Sequence, residues 1–394
     1  MFYVGIDVAS EKHDCAILDS ATGEICEVFV FANNCKGFNE LVAKLNLYSK
    51  KKDFSDIEIG LESTGHYSNN IVNFLQVKRL SVKVFNPLTV QRLRKAQTLR
   101  RTKTDKSDAK FLACMLIGDD SKSYDKSLPQ IDELKTLTRH RFRLVKEKTK
   151  HKLHVSRLIT IVFPELTSVF CTTSLATVRE LLLQFPSAKA IAAVDIRKLT
   201  NLLWVTSKHR FGRDKAIELR NLARTSVGTS NRGTDFELTQ HLQSVLFLNQ
   251  QIKDVDAQIK AIMIELDSPI LSIHGISFTL GAMILAETGD IKNFPNPAKL
   301  LAYAGLDPSC YQSGKFTADR TPMVKHGSSY LRYAIMQAAS CVRRYAPEFR
   351  AYHDKKIAQN KHYYVALSHV SKKLVRVMFS LLKYNESYKT QTAV

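Results

Sequence analysis

Four carboxylates of this chain stand where strand ends and a helix start can bring them together. Asp7 closes a short apolar run, Phe2 to Val8, and Glu62 closes another within Gly60-Leu61-Glu62-Ser63-Thr64-Gly65. Asp105 and Asp108 lie three apart at the start of a segment with helical spacing that runs to Met115, and residues i and i+3 share one helix face. In a sheet whose first strand is central, the two strand ends and that helix converge. Converging carboxylates repel one another unless they hold hard cations. Mg²⁺, or Mn²⁺ in its place, takes oxygen ligands while keeping waters and substrate phosphates in its shell. Two such ions about 4 Å apart stabilise the attacking and leaving oxygens of a phosphoryl displacement. Taken singly, Asp105 also reads as a helix cap after Thr104, and Glu62 as the partner of a nearby lysine. Ser313, in Tyr311-Gln312-Ser313-Gly314-Lys315-Phe316, is a candidate nucleophile that needs a base or metal to activate it. Ser-Gly is equally an ordinary turn.

The elements that must position these groups follow from periodicity. Phe2 to Val8, Cys15 to Leu18 and Ile25 to Phe31 read as an antiparallel meander. Residues 37–48 have helical spacing, Ile57 to Leu61 and Val82 to Phe85 are further strands, and a helix around Ile71 to Val77 lies between them. The first part is therefore α/β with a mixed sheet. The rest is all-α. Leu134 through Arg157 reads as one long helix, and residues 172–232 are helical with a break at Phe211-Gly212-Arg213. Val245, Leu248, Ile252, Val255, Ile259, Ile262 and Leu266 step alternately by three and four, a coiled-coil seam. Its partner is the 134–157 helix or the same element of another subunit. Leu271 to Ser277 turns at Gly275 and reads as a helix-hairpin-helix. A loop from Leu306 to Gly327 leads to two helices, Ser329 to Arg344 and Val365 to Leu382, and Asn385 to Val394 reads as a frayed end. Three regions result: an α/β domain over 1–125, a helical coiled-coil middle over 126–267, and a mainly helical, serine-bearing domain over 268–394.

Charge narrows the function. Lys and Arg number 58 against 37 Asp and Glu, leaving +21 on 394 residues, and an excess of that size points to a polyanionic partner. Residues 91–110 carry Arg92, Arg94, Lys95, Arg100, Arg101, Lys103, Lys106 and Lys110 against Asp105 and Asp108 alone. Arg139 to Arg157 holds eight Lys and Arg and one acid, Glu147. Salt pairs along a helix do not explain so one-sided a balance. Arg92, Arg94, Arg100, Arg101, Lys103, Arg139, Arg141 and Arg143 are thus expected to contact nucleic-acid phosphates, with Lys315, Lys325 and Arg332 doing so around Ser313. No run approaches the roughly 18 apolar residues of a membrane span, and Met1 to Asp7 lacks the basic lead of a signal peptide. Seven scattered cysteines with no C-x-x-C pair suggest neither a disulfide framework nor a zinc cage. A cytoplasmic protein is expected.

Gly5-Ile6-Asp7-Val8-Ala9, Leu61-Glu62-Ser63-Thr64-Gly65 and Lys103-Thr104-Asp105-Lys106-Ser107-Asp108-Ala109 form an ordered set with Ala304-Gly305-Leu306-Asp307-Pro308, Gln312-Ser313-Gly314-Lys315 and Arg332-Tyr333-Ala334. Together they resemble the insertion-sequence transposases with an N-terminal DEDD, RuvC-like domain and a C-terminal serine-bearing domain, the bridge-RNA-guided recombinases. The likeness runs from residue 1 to about 345. It implies an RNase H-like first domain with Asp7, Glu62, Asp105 and Asp108 as Mg²⁺ ligands, and Ser313 as the nucleophile that attacks a DNA phosphate. It also implies a homo-oligomer, dimer or tetramer, in which acids and serine come from different subunits. Donor and target DNA and a structured guide RNA would be the partners, in a prokaryotic, nucleoid-associated setting, with base pairing choosing the sequence. A serine that displaces the 3′ oxygen keeps the phosphodiester energy in a phosphoserine, so strands rejoin without ATP. Other classes stay open. One is a DEDD nuclease that resolves DNA junctions with water, and another is a non-enzymatic nucleic-acid binder. A third is an actin-like kinase, but 15 thinly spread glycines supply none of its further phosphate loops.

Overall fold

The computed structural model describes residues 1–51, 53–63, 65, 67–97, 104–118, 129–173, 175–309, 312–313, 316–317 and 321–389. They belong to two compact units, Met1–Lys126 and Ser127–Val394.

The first unit is a five-stranded sheet of order β3-β2-β1-β4-β5. β1 (Phe2–Val8), β2 (Lys12–Asp19) and β3 (Ile25–Ala32) form the expected meander, α1 (Cys35–Tyr48) follows, and β4 (Ile57–Glu62), α2 (Ser68–Val77) and β5 (Ser81–Phe85) complete the sheet. β1 is central, antiparallel to β2 and parallel to β4. Alternation sends Val4, Ile6 and Val8 with Ile57, Ile59 and Leu61 to one face, where they bury Phe38, Leu41 and Leu45 of α1 and Ile71 and Leu75 of α2. The opposite face receives α3 (Pro87–Gln97) and α4 (Asp105–Met115), through Val90, Leu112 and Leu116 packed on Phe85 and Tyr3.

The second unit is helical. Its axis is a pair of long helices, α5 (Pro129–Val162) and α11 (Arg232–Leu266). Between them in sequence come α6 (Leu166–Val169), α7 (Ala176–Gln184), α8 (Ala188–Ala193), α9 (Ile196–Thr206) and α10 (Arg213–Arg224). These cluster around Val155, Leu158 and Val162 of α5 and Leu238 and Leu242 of α11. Midway, Leu144 meets Leu248 and Ile252, and at the far end Ile131 and Leu134 meet Ile259, Ile262 and Met263. The seam residues of α11 thus pack on α5 of the same chain, antiparallel. The element before Gly275 is a single 3-10 turn, Pro269–Ser272, rather than the first α-helix of a hairpin. After it come α12 (Phe278–Thr288), α13 (Pro297–Tyr303), a small hairpin of β6 (Gln312–Ser313) and β7 (Phe316–Thr317), then α14 (Ser329–Tyr345), α15 (Pro347–Ala358) and α16 (Tyr363–Tyr384). Of the end expected to fray, residues 385–389 are described and are tied down, while residues 390–394 lie outside the described residues. Tyr388 donates its backbone N–H to Ser272 Oγ at 2.7 Å, its hydroxyl bonds Glu348, and its ring joins the main apolar cluster.

Candidate active site

The candidate carboxylates lie on strand ends and a helix turn at the face of the sheet covered by α4. Residues i and i+2 of a strand share a face, so Tyr3, Gly5 and Asp7 of β1 lie beside Glu58, Gly60 and Glu62 of β4. In the parallel register Gly5 is opposite Gly60 and Ile6 opposite Leu61, which sets Asp7 beside Glu62 at the carboxyl ends of both strands. Gly5 is what lets α4 lie so close. A Cβ there would stand 2.0 Å from Ala109 O and 2.4 Å from Ala113 N. That contact brings the first turn of α4, with Asp105 and Asp108, over the same face.

Local chemistry fixes the start of α4. Thr104 and Ser107 form a reciprocal capping box, and Asp105 and Asp108 occupy the first turn, where the helix dipole favours negative charge. The cap is Thr104, and Asp105 is free of that role and exposed. Asp108 is buried, accepts from Ser107 Oγ at 3.2 Å and pairs with Arg94 of α3 at 2.8 Å. Arg94 also lies over the Phe111 ring, 5.2 Å from its centroid. Its guanidinium thus offsets part of the negative charge on this face.

A fifth acid, missed in sequence, belongs to this group. Asp14 of β2 is the direct cross-strand partner of Asp7 and is 6% exposed, and its carboxylate makes no hydrogen bond or ion pair among the described residues. Like charges directly opposite each other destabilise a sheet. An all-carboxylate donor set, with one member buried against another, fits a hard divalent cation. The side chains are not closed around a point. Among the described residues no three of these acids bring ligand atoms within 4.8 Å of one another.

Ser313 lies in the second unit. Its backbone sits in β6, opposite Phe316 of β7. The base of that loop is zipped by backbone bonds from Ser309 to Pro322, Val324 to Asp307, Lys325 to Gly305 and Ser328 to Tyr303. Gly305 and Gly327 permit the approach, since both have positive φ and a Cβ would meet His326 O at 2.3 Å and Tyr303 O at 2.1 Å respectively. Ser328 caps α14 and also donates to Glu287 Oε2 at 2.8 Å. Glu287 in turn takes two bonds from Arg139, at 2.6 and 3.0 Å.

Several members of the basic set have partners within the chain. Arg139 is spent on Glu287, and Arg141 on Asp256 at 2.6 and 3.1 Å. Arg332 donates to the carbonyls of Ala304 and Lys325, bracing the serine loop. Arg92, Arg143 and Lys325 are exposed. Arg100, Arg101, Lys103 and Lys315 lie outside the described residues.

A mixed sheet followed by a mainly helical unit is consistent with a DEDD transposase. Residues 4–164 match the family model of transposases of the DEDD, IS110 type, and residues 267–354 match that of the transposase IS116/IS110/IS902 family. The chain belongs to this IS110/IS116 family of insertion-element transposases. It is similar to the uncharacterized 44.8 kDa protein of insertion element IS116 from Streptomyces clavuligerus, 24% identical over 97% of this chain and 94% of the relative. It is also similar to the uncharacterized 43.6 kDa protein of insertion element IS110 from Streptomyces coelicolor, 26% identical over 73% of each chain. No helix among the described residues is long and apolar enough to cross a membrane.

Proposed function

We propose that this transposase cuts and rejoins DNA through a covalent phosphoserine on Ser313, with Asp7, Glu62, Asp105 and Asp108 holding divalent metal and a structured RNA choosing the sites. The observation that carries the reading is the parallel register of β1 and β4, which leaves Asp7 and Glu62 as the next residues after the Ile6–Leu61 pair, with Asp105 and Asp108 in the first turn of the helix packed on Gly5. A bound Mg²⁺ or Mn²⁺ supplies Lewis-acid stabilisation of charge on the attacking and leaving oxygens. Ser313 Oγ forms its bond to phosphorus as the bond from phosphorus to the 3′ oxygen breaks. The serine proton leaves to solvent and the departing oxygen takes one up, so the count of phosphodiester bonds is unchanged. Attack by a 3′ hydroxyl of another strand reverses the step and frees the serine. The charge of +21 suits two polyanions, DNA and RNA, and action as a homo-oligomer is part of this proposal.

The test is incubation of the full chain with end-labelled DNA, its co-purifying RNA and Mg²⁺. A denaturation-resistant protein–DNA adduct is expected, absent in Ser313→Ala and in Asp7→Ala. Clean strand cutting by Ser313→Ala would instead establish hydrolysis, as in a junction-resolving DEDD nuclease. RNA of one defined length should accompany the purified protein, and a heterogeneous mixture would remove guidance from the proposal.

A further inference from the structure

The α5–α11 pair holds a polar cluster that has no role in the proposed cleavage. His151 and His154 are three apart on α5, and Glu237 and His241 are four apart on α11, so each pair shares a helix face. Elsewhere the two helices pack apolar side chains, with the Arg141–Asp256 ion pair and a Gln130–Glu265 hydrogen bond beside them. Here the His151 and His241 Nδ1 atoms are 2.8 Å apart. The His154 ring lies parallel to His241, centroids 4.7 Å apart and planes 7° apart. His241 Nε2 is 3.7 Å from Glu237 Oε1. One ligand atom each from His154, Glu237 and His241 falls within 4.8 Å of the others, a grouping that recurs nowhere else among the described residues.

We propose that His154, Glu237 and His241 bind a borderline divalent transition metal, Zn²⁺ being the best match, which bridges α5 and α11. Two imidazole nitrogens and a carboxylate leave a fourth position open for water, a donor set and count suited to zinc. The same side chains are poorly suited to Mg²⁺, which prefers oxygen throughout. His151 is a positioning residue: its contact with His241 Nδ1 fixes the ring so that Nε2 is the ligating nitrogen. Arg157 orients Glu237 through a 2.7 Å bond to Oε1. Ligands drawn from the facing sides of two packed helices, here one from α5 and two from α11, are a common way to build a metal site in a bundle.

The test is zinc stoichiometry of the full chain after chelator treatment and equilibrium dialysis against micromolar Zn²⁺, in wild type, Asp7→Ala and the double variant His154→Ala, His241→Ala. One equivalent is expected in wild type, retained in Asp7→Ala and lost in the double variant. Co²⁺ should give visible bands of a four-coordinate ion that the double variant lacks. His154→Gln, at an exposed position, should weaken binding at least tenfold with an unchanged far-ultraviolet spectrum. His151→Ala should weaken it about 10- to 100-fold while keeping the stoichiometry, as removal of a supporting partner does. The proposal is overturned if wild type retains no zinc, or if the double variant retains as much as wild type.

Discussion

Arg139 decides between two readings of the basic helix α5, and replacing it with alanine separates them. In the structure its guanidinium makes two of the three hydrogen bonds that reach Glu287, the third coming from Ser328. The Glu287 side chain is 1% exposed, whereas that of Arg139 is 38% exposed. Removing one partner of a buried pair strands the other charge, at about 3–5 kcal/mol. Water can enter from the Arg139 side and Ser328 still donates, so the lower end applies: about 3 kcal/mol, or roughly a hundredfold in the unfolding equilibrium. Trp204, the single tryptophan, is on α9 of the same unit and reports its unfolding. Urea titration followed by its fluorescence should show a clearly lower midpoint for Arg139→Ala at unchanged slope. Replacing both partners, Arg139→Met with Glu287→Leu, should restore stability to within about 1 kcal/mol, since no charge is left stranded. Arg143→Ala, on the exposed face, should leave the midpoint alone and lower the salt dependence of DNA binding by about one phosphate contact. If Arg139→Ala unfolds at the wild-type midpoint but loses a phosphate contact, the structural role assigned to it is wrong.

Gly5→Ala drives a methyl group into the backbone of α4, so it should cost about 1–3 kcal/mol and abolish metal-dependent cleavage, with Gly118→Ala, where nothing lies within 4 Å, as a neutral control in calorimetry. Asp14→Asn removes a like charge opposite Asp7; chelator-treated protein should become up to about 1 kcal/mol more stable while Mn²⁺ binding, followed by electron paramagnetic resonance, weakens. Burial holds His13 below the ordinary imidazole range, the Asn33 side chain opposing in part. A depressed histidine favours the fold fully above the unfolded value near 6.5 and loses that contribution as pH falls below it. Urea midpoints should therefore drop between pH 7 and 5, and less so in His13→Leu.

Much of the first unit was legible because apolar alternation and turn residues agree there. The bounds of β1 and the end of α4 at Met115 match the expected ones, and the carboxylates of Asp7 and Glu62 were visible as strand ends. Asp14 was not, because its significance lies in the register that sets it against Asp7, which no local pattern states. α15 was missed for a different reason: it buries only Phe349 and His353, so it has no apolar stripe, and Ala346 serves at once as cap of α14 and of α15. Counting charges could not show the acidic partners of Arg139 and Arg141, which are 148 and 115 residues away. Nothing in the spacing around His151 announces a partner on a helix 90 residues later. Ser313 was singled out by likeness to a family, and the fold adds to this the two glycines that clamp the neck of its loop.

The long antiparallel helices carry a mechanical consequence. With 34 and 35 residues they are each about 50 Å of continuous helix at 1.5 Å per residue. Apolar contacts at both ends and in the middle keep the two rods from sliding past each other. Such a twin-railed strut behaves as a lever: tilting one end by about 5° swings the other by about 4 Å over that length. A load applied where the small helices gather would thus be felt at the foot of the serine loop, through the arginine and glutamate that join strut to loop.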